Sequence, residues 1–180
     1  MSQIKLQDNP VSSLDIPLQR DVFMRSLIRE LSGLMEDMIG LEEASGFISV
    51  VGQRIGTEID DYYKQALEVS RLNKQQIGEV LADLKTRIQG DFFIIEADEN
   101  KIVMGNNTCP FGDKVKDRPS LCMMTSNVFG TIAADNNGYA KVVLDKTIAQ
   151  GDPGCHVTIY FKATDEADHA DGREYYQVGE

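Results

Sequence analysis

Hydrophobic periodicity changes once along this chain, near residue 90. Before that point apolar residues recur every three to four positions, the spacing of one face of an α-helix. After it, apolar residues come in runs of strand length that turn residues separate. The pattern therefore predicts a helical first half and a second half that contains a β-sheet.

Four helices are predicted in the first half. They cover residues 16–38, 42–54, 57–72 and 73–90. Asn73 is the expected N-cap of the fourth helix, because Gln76 completes a capping box with it. Gly46, Gly52 and Gly56 lie close to helical spacing, and small residues there let a neighbouring backbone approach closely.

The second half is predicted to contain two hairpins with a helix between them. The expected strands are residues 91–97, 101–105, 139–148 and 155–161, and the expected helix is 120–134. Because hairpin strands run antiparallel, the sheet is expected to be antiparallel. The predicted fold class is α+β, with four N-terminal helices packed on an antiparallel sheet of β-β-α-β-β order.

Length and charge narrow the class of protein. A chain of 180 residues fits one domain, here predicted as residues 16–162 between a flexible lead at 1–15 and an acidic tail at 163–180. The net charge of −11 argues against nucleic acid or an anionic membrane as partner, since both bind basic surfaces. No apolar run approaches the roughly 20 residues of a membrane span, and residues 1–20 lack a signal-peptide core. The expected location is the cytoplasm.

The first predicted helix, residues 16–38, runs for about six turns with an apolar stripe. A terminal helix of this length often packs against a second copy of itself. Packing on its own domain is an equally good interpretation. The helix is therefore a candidate dimerisation element of a homodimer.

Three cysteines, Cys109, Cys122 and Cys155, lie in separate motifs of the second half. If they converge, they form a metal site for zinc or an iron–sulfur cluster, although no Cys-x-x-Cys pair is present. The nearest candidates for a fourth ligand are Asp113, Asp145, Asp152 and His156. Buried structural thiols and redox-sensing thiols are the alternatives. The start of a helix at Cys122 predicts a lowered pKa for its thiol.

Enzyme signatures are sparse. The chain has no phosphate-binding glycine loop, no Gly-x-Ser-x-Gly motif and no His-x-x-x-His pair. A cysteine-dependent enzyme remains an alternative, with Cys109 or Cys122 as nucleophile and His156 as base. His169 lies in the acidic tail and is expected to be solvated.

Four motifs together resemble the methanogen output domain family of archaeal and bacterial signalling proteins. They are the runs that begin at Cys109-Pro110-Phe111-Gly112, at Leu121-Cys122-Met123-Met124, at Gly138-Tyr139-Ala140 and at Gly151-Asp152-Pro153-Gly154-Cys155. The resemblance covers residues 27–161, and its ending is also similar to vinyl-reductase-type domains and phenol-responsive sensors. It implies a sensory domain, often dimeric, with helices on an antiparallel sheet.

The phenol sensors carry a zinc site beside the ligand pocket, and this chain keeps only part of it. Cys155 matches a zinc cysteine of that family, but Thr147 stands where a second cysteine is expected and Asp145 is the best match to the carboxylate. The resemblance therefore implies that Cys109, Cys122 and Cys155 form the candidate centre instead.

These observations favour a cytoplasmic, non-catalytic sensory domain. Its three-cysteine site is expected to bind a metal, an iron–sulfur cluster or a small or redox effector. A homodimer and a downstream signalling protein are the expected partners, with no nucleic acid and no membrane. The alternatives are the cysteine-dependent enzyme and a dimeric scaffold in which the cysteines only pack.

Overall fold

The computed structural model describes residues 13–177 of the chain. These residues form five α-helices and one five-stranded sheet. The helices are α1 (Arg20–Ile39), α2 (Leu41–Leu67), α3 (Lys74–Arg87), α4 (Pro119–Asn137) and α5 (Asp165–His169). The strands are β1 (Phe93–Ala97), β2 (Lys101–Asn106), β3 (Tyr139–Lys146), β4 (Cys155–Tyr160) and β5 (Arg173–Tyr176). Two 3-10 turns, Gly112–Val115 and Ile148–Gln150, lie in the loops before α4 and before β4.

The sheet has the strand order β1-β2-β4-β3-β5, and all its neighbouring strands pair antiparallel. The α+β class and the antiparallel sheet are thus confirmed. The β-β-α-β-β order is incomplete, because β5 pairs with β3 at one edge and α5 precedes it. The segment at residues 163–180, predicted as an acidic tail and expected to be loosely held, instead contains α5 and β5 as far as residue 177. Tyr175 of β5 pairs with Ala140 and lies against Gly130 of α4.

Two of the predicted helices are one. Residues 42–54 and 57–67 belong to the single helix α2, which runs through Gly56 without a break and ends at Leu67, so the predicted helix end at residue 72 is wrong. Gly56 is not a helix end; a side chain there would meet Thr131 of α4 at 3.0 Å, so the glycine permits close helix packing. Gly52 does the same against Asn127 at 2.6 Å, whereas a side chain at Gly46 would meet nothing within 4 Å.

The N-terminal boundaries also shift. Helix α1 begins at Arg20 rather than at residue 16, after Gln19 in extended backbone. Of the predicted flexible lead at residues 1–15, residues 1–12 lie outside the described residues.

The predicted capping box of α3 is confirmed: the Asn73 side chain accepts from the Gln76 amide, and the Gln76 side chain accepts from the Asn73 amide.

The core forms where α4 lies between the sheet and α2. Its centre is Phe129 with Ile132, which pack with Val142 and Ile159 of the sheet. At the C-terminal end of α4, Asn136 donates to Asp60 and accepts from the Leu72 amide, both at 2.7 Å. Burial of polar groups in such a network is tolerated because each one has a partner. This three-layer arrangement fixes α4 and therefore the position of Cys122 in its first turn.

None of the helices within residues 13–177 is long and apolar enough to cross a membrane.

Candidate functional site

The three cysteines line one small cavity. Cys109 lies in the loop after β2, Cys122 is the fourth residue of α4, and Cys155 is the first residue of β4. The cavity has a volume of about 30 Å³, and apolar side chains such as Phe92 and Val157 form much of its wall. That volume is enough for a water molecule and too small for an organic ligand. The spacing of the cysteines leaves their convergence open, and the structure shows that all three line the same cavity.

The loop that carries Cys109 is fixed to the sheet by side-chain hydrogen bonds. Asn106 pairs opposite Cys155 in the β2–β4 ladder, and its side chain accepts from the Cys155 amide at 2.9 Å and donates to the Thr108 carbonyl at 3.0 Å. Asp91 accepts from the amides of Asn107 and Thr108. The cysteines therefore belong to a braced site rather than to a free loop.

Burial raises the pKa of all three thiols. The pKa of Cys122 rises to about 12, first through burial and then through the neighbouring Cys155 and Cys109, while hydrogen bonding by Thr147 opposes the shift. Burial likewise raises the pKa of Cys109 and of Cys155. The predicted lowering of the Cys122 pKa is wrong, because burial outweighs the effect of the helix start. Protonated thiols are poor nucleophiles and react slowly with oxidants.

A buried lysine that sequence reasoning missed lies behind this cavity. Lys85 of α3 is only 5% exposed, and its Nζ donates to Thr125 Oγ1 at 2.8 Å and lies over the rings of Phe92 and Phe129. Burial lowers the pKa of Lys85 to about 8, and the three cysteines act in the opposite direction. One signal was available: Lys85 follows Ile77 and Leu81 at intervals of four, on the face predicted to be apolar.

A larger cleft adjoins the cysteine cavity and shares Cys122, Leu144 and Thr147 with it. Its volume is about 300 Å³. The remaining lining comes from α4, β3, the 3-10 turn before β4, and the start of β5 with the segment before it, namely Pro119, Met123, Ser126, Val142, Gln150, Asp171, Gly172 and Arg173. The predicted tail thus supplies one wall of the cleft, which sequence reasoning also missed.

The inner wall of the cleft is held by hydrogen bonds between α4 and β5. Ser126 Oγ and Tyr175 Oη lie 2.9 Å apart, and Arg173 bonds to Ser49 and to Asn127. A side chain at Gly130 would collide with the ring of Tyr175. These contacts and the pairing of β5 with β3 hold the C-terminal segment where it forms one wall of the cleft.

The candidates for a fourth metal ligand bond to other groups. Asp113 pairs with Lys116 at 2.9 Å, Asp145 pairs with His156 at 2.8 Å, and Asp152 accepts from the Thr147 amide at 2.9 Å. Within residues 13–177, no three side chains of the His, Cys, Asp and Glu types are grouped so that they could hold a metal ion. Zinc or an iron–sulfur cluster at Cys109, Cys122 and Cys155 stays a prediction that this geometry does not favour.

His156 is not placed to serve as the base of a cysteine nucleophile. It follows Cys155 directly in β4, and successive strand residues point to opposite faces of a sheet. Its ring bonds to Asp145, which also accepts from Thr158 at 3.0 Å. The geometry therefore does not favour the cysteine-dependent enzyme.

Solved structures share this fold at low sequence identity. The phenol-responsive sensory domain of the transcription activator PoxR, solved with phenol, has a TM-score of 0.60 at 15% identity over 81% of this chain and 76% of that chain. A trafficking protein particle complex subunit 3 from Naegleria fowleri, covalently bound to palmitic acid, has a TM-score of 0.55 at 11% identity over 78% of this chain and 96% of that chain. No curated protein matches the sequence significantly.

A family model settles the relationship that the four sequence motifs indicate. Residues 27–160 match the model of methanogen output domain 1, so the match spans most of the chain. It begins inside α1, ends with β4 and includes all three cysteines. The chain therefore belongs to the methanogen output domain 1 family.

Proposed function

We propose that this protein is a ligand-binding signalling domain whose effector occupies the cleft beside the three cysteines. The observation that carries the proposal is that Cys122, Leu144 and Thr147 line both the 300 Å³ cleft and the inner cysteine cavity. Ligand pockets begin at about this volume, and they occur where elements from distant parts of a chain meet. The common fold with a phenol-responsive sensory domain supports a sensory role.

The chemistry of the cleft favours a small organic effector. Met123, Val142 and Leu144 offer apolar surface, while Ser126 and Arg173 offer a few polar atoms. Such a lining suits a compact molecule with an apolar body and one or two polar groups. The protonated thiol of Cys122 would contact the inner end of the molecule as a soft, weakly polar surface.

The output of such a domain passes to a downstream protein, and the contacts point to α1 as the first relay. Arg29 of α1 donates to the carbonyls of Lys114 at 2.5 Å and Lys116 at 2.7 Å, in the loop that carries Cys109. Ile28 of α1 packs with the apolar cluster around Val115 in the same loop. A ligand that moves this loop would therefore move α1.

Calorimetric titration with phenol and a panel of small organic molecules of similar volume tests the proposal. We expect at least one member to bind, and we expect Met123→Trp, which fills the cleft, to weaken its binding at least tenfold. Ile88→Trp, an exposed site outside the cleft, is the matched control and should leave binding unchanged. Binding that Met123→Trp does not affect, or a protein that binds no member of the panel, would overturn the proposal.

Elemental analysis of the purified protein separates this proposal from the predicted metal site. A metal-free protein that binds an organic probe supports the cleft. Stoichiometric zinc or iron that Cys122→Ser removes would instead support the three-cysteine centre.

A further inference from the structure

Arg173 is a cation in the wall of the cleft whose hydrogen-bond partners are all neutral. Its Nη1 donates to Ser49 Oγ and, at 3.4 Å, to Asn127 Oδ1. Asn127 is fixed in this orientation, because its Nδ2 donates to the Met123 carbonyl at 2.6 Å. The hydroxyl of Tyr175 is a further neutral neighbour. None of these groups balances the charge of the guanidinium.

Other partly buried cations of this fold show how such a charge is usually balanced. Lys64, Lys101 and Arg118, whose side chains are between 19% and 29% exposed, each lie within 4 Å of a carboxylate. Arg173 is also partly buried, but within residues 13–177 it forms no such ion pair. A cation that has lost part of its water gains from an anionic partner. The wall of the cleft therefore offers an unbalanced positive charge to a ligand.

The acidic residues near Arg173 do not cancel this charge. Asp171 lines the same cleft but is exposed, so water and salt screen its carboxylate more than they screen the guanidinium. Glu174 and Asp135 line a neighbouring cavity that also contains Arg173. The Glu174 carboxylate accepts from two tyrosine hydroxyls, and burial raises the pKa of the Asp135 carboxyl. Asp171 at the edge of the cleft would still repel a second negative charge on a ligand.

The start of α4 acts in the same direction as Arg173. Pro119, the first residue of this 19-residue helix, lines the cleft. The helix has no side-chain cap and no acidic residue in its first turn, so its positive end is not compensated there. The helix dipole therefore adds to a potential that favours one negative charge in the cleft.

We infer that the effector of the cleft is a small organic carboxylate whose two oxygens bind the guanidinium of Arg173. The inference rests on the proposed function and adds the charge of the ligand to it. A planar guanidinium matches a carboxylate through two parallel N–H···O bonds, and Nε and Nη2 carry three N–H groups beside those of Nη1. The apolar body of the molecule lies against Met123, Val142 and Leu144. A carboxylate suits the cleft better than a phosphate dianion, because Asp171 opposes a second charge.

Calorimetric titration with three ligands of one shape gives the first test. Benzoate, benzamide and benzamidine have the same planar body and carry one negative, no and one positive charge. We expect benzoate to bind on the order of tenfold or more tighter than benzamide, and benzamidine to bind weakest. Phenylacetate and 3-phenylpropionate, each with its amide, extend the comparison to longer bodies. A protein that binds none of these carboxylates, or that binds each amide as tightly as its acid, would overturn the inference.

Arg173→Gln should remove the preference for the charged ligand. The ratio of benzoate to benzamide affinity should fall to about one, because the neutral side chain no longer distinguishes the two molecules. Arg87→Gln is the matched control, since it removes the same charge from an exposed residue of α3 outside the cleft. The control should keep the wild-type ratio. A preference that survives Arg173→Gln would overturn the inference.

Asp171→Asn gives a test that leaves the contacts of Arg173 in place. Removal of the exposed carboxylate from the cleft should tighten benzoate binding by about two- to fivefold and leave benzamide binding unchanged. Unchanged or weaker benzoate binding would overturn the inference. A neutral member of the phenol panel that Met123→Trp displaces, in a protein that binds no carboxylate, would overturn it as well and leave the proposed function standing.

Discussion

Helices α1 and α4 are nearly equal in length, but α1 exposes most of its apolar residues whereas α4 buries most of its own. Twelve residues of α4 are buried, including Leu121, Phe129 and Ile132, whereas α1 buries only Ser32 and Gly33 among its own. A regular apolar pattern shows that a helix has a face to cover. It does not show which molecule covers it.

The neighbours of the two helices explain the difference. Sheet strands lie on one side of α4 and α2 lies on the other, with Gly52 and Gly56 allowing close approach. Helix α1 instead rests on loops and helix ends, through hydrogen bonds such as those of Arg29. The folded core therefore ends at α2 and α4, and α1 lies on its rim.

Phe129→Ala in α4 should give the largest effect. Removal of this fully buried ring should lower the free energy of unfolding by about 3–5 kcal/mol, independent of protein concentration. Leu34→Ala in α1 should lower it much less, because the Leu34 side chain is already 56% exposed in the folded chain. Urea denaturation of both variants makes the comparison. An equal loss in Leu34→Ala would place Leu34 in the core of the chain.

Lys85→Met tests the buried cation beside the cysteines. The folded-state pKa of Lys85 is about 8, below its ordinary 10.5, so between these values the unfolded chain binds a proton that the folded chain lacks. Lys85 therefore makes the free energy of unfolding rise as the pH rises between these two pKa values. Lys85→Met removes the free-energy cost of burying this charge, so the variant should be more stable than the wild type at pH 7. The difference in their free energies of unfolding should shrink by about 2 kcal/mol between pH 7 and pH 9.5. A constant difference between the two proteins would show that burial does not lower the pKa of Lys85 in the folded state.

Two glycines of α2, Gly52 and Gly46, test the difference between a packed helix face and an exposed one. Gly52→Ala should destabilise the protein by about 1–2 kcal/mol, because the new methyl group would lie 2.6 Å from Asn127 on α4. Gly46→Ala, where space is open, should instead stabilise it by up to about 1 kcal/mol through helix propensity. Thermal melts of both variants under one condition test this, and equal shifts would contradict the packing.

Arg29→Met should have the smallest effect on stability, about 1 kcal/mol, since it removes two hydrogen bonds to backbone carbonyls at the edge of the fold. Amide exchange should quicken in the segment from Lys114 to Lys116 and in α1, but not in α4. Unchanged exchange in that segment would mean that α1 does not hold the loop.

Local signals in the sequence predicted much of the fold. The capping box at Asn73 and Gln76, the switch of periodicity near residue 90 and the strands β1 to β4 all follow from short-range patterns. The continuous α2 and the edge strand β5 did not, because both depend on tertiary contacts: Gly56 against Thr131, and Tyr175 against Gly130. Neither contact has a signature within a short window of sequence.

The candidate site was predicted in part. The motifs singled out Cys109, Cys122 and Cys155, but their spacing could not show whether the three meet; the structure places all three on one cavity. The thiol pKa values could not be predicted, because burial is a property of the assembled fold. The wall contributed by Arg173 and its neighbours was missed because the acidic composition of the tail indicated solvation.

The most direct test of the cleft is methionine-methyl NMR, because methionines mark both regions. Met123 lines the cleft, while Met24 and Met38 lie exposed on α1. A small organic ligand such as phenol, or a better-binding member of the panel, should shift the Met123 methyl signal first and most strongly. If no member of the panel shifts Met123, or if the ligand shifts Met24 and Met38 instead, the cleft beside the cysteines is not the effector site.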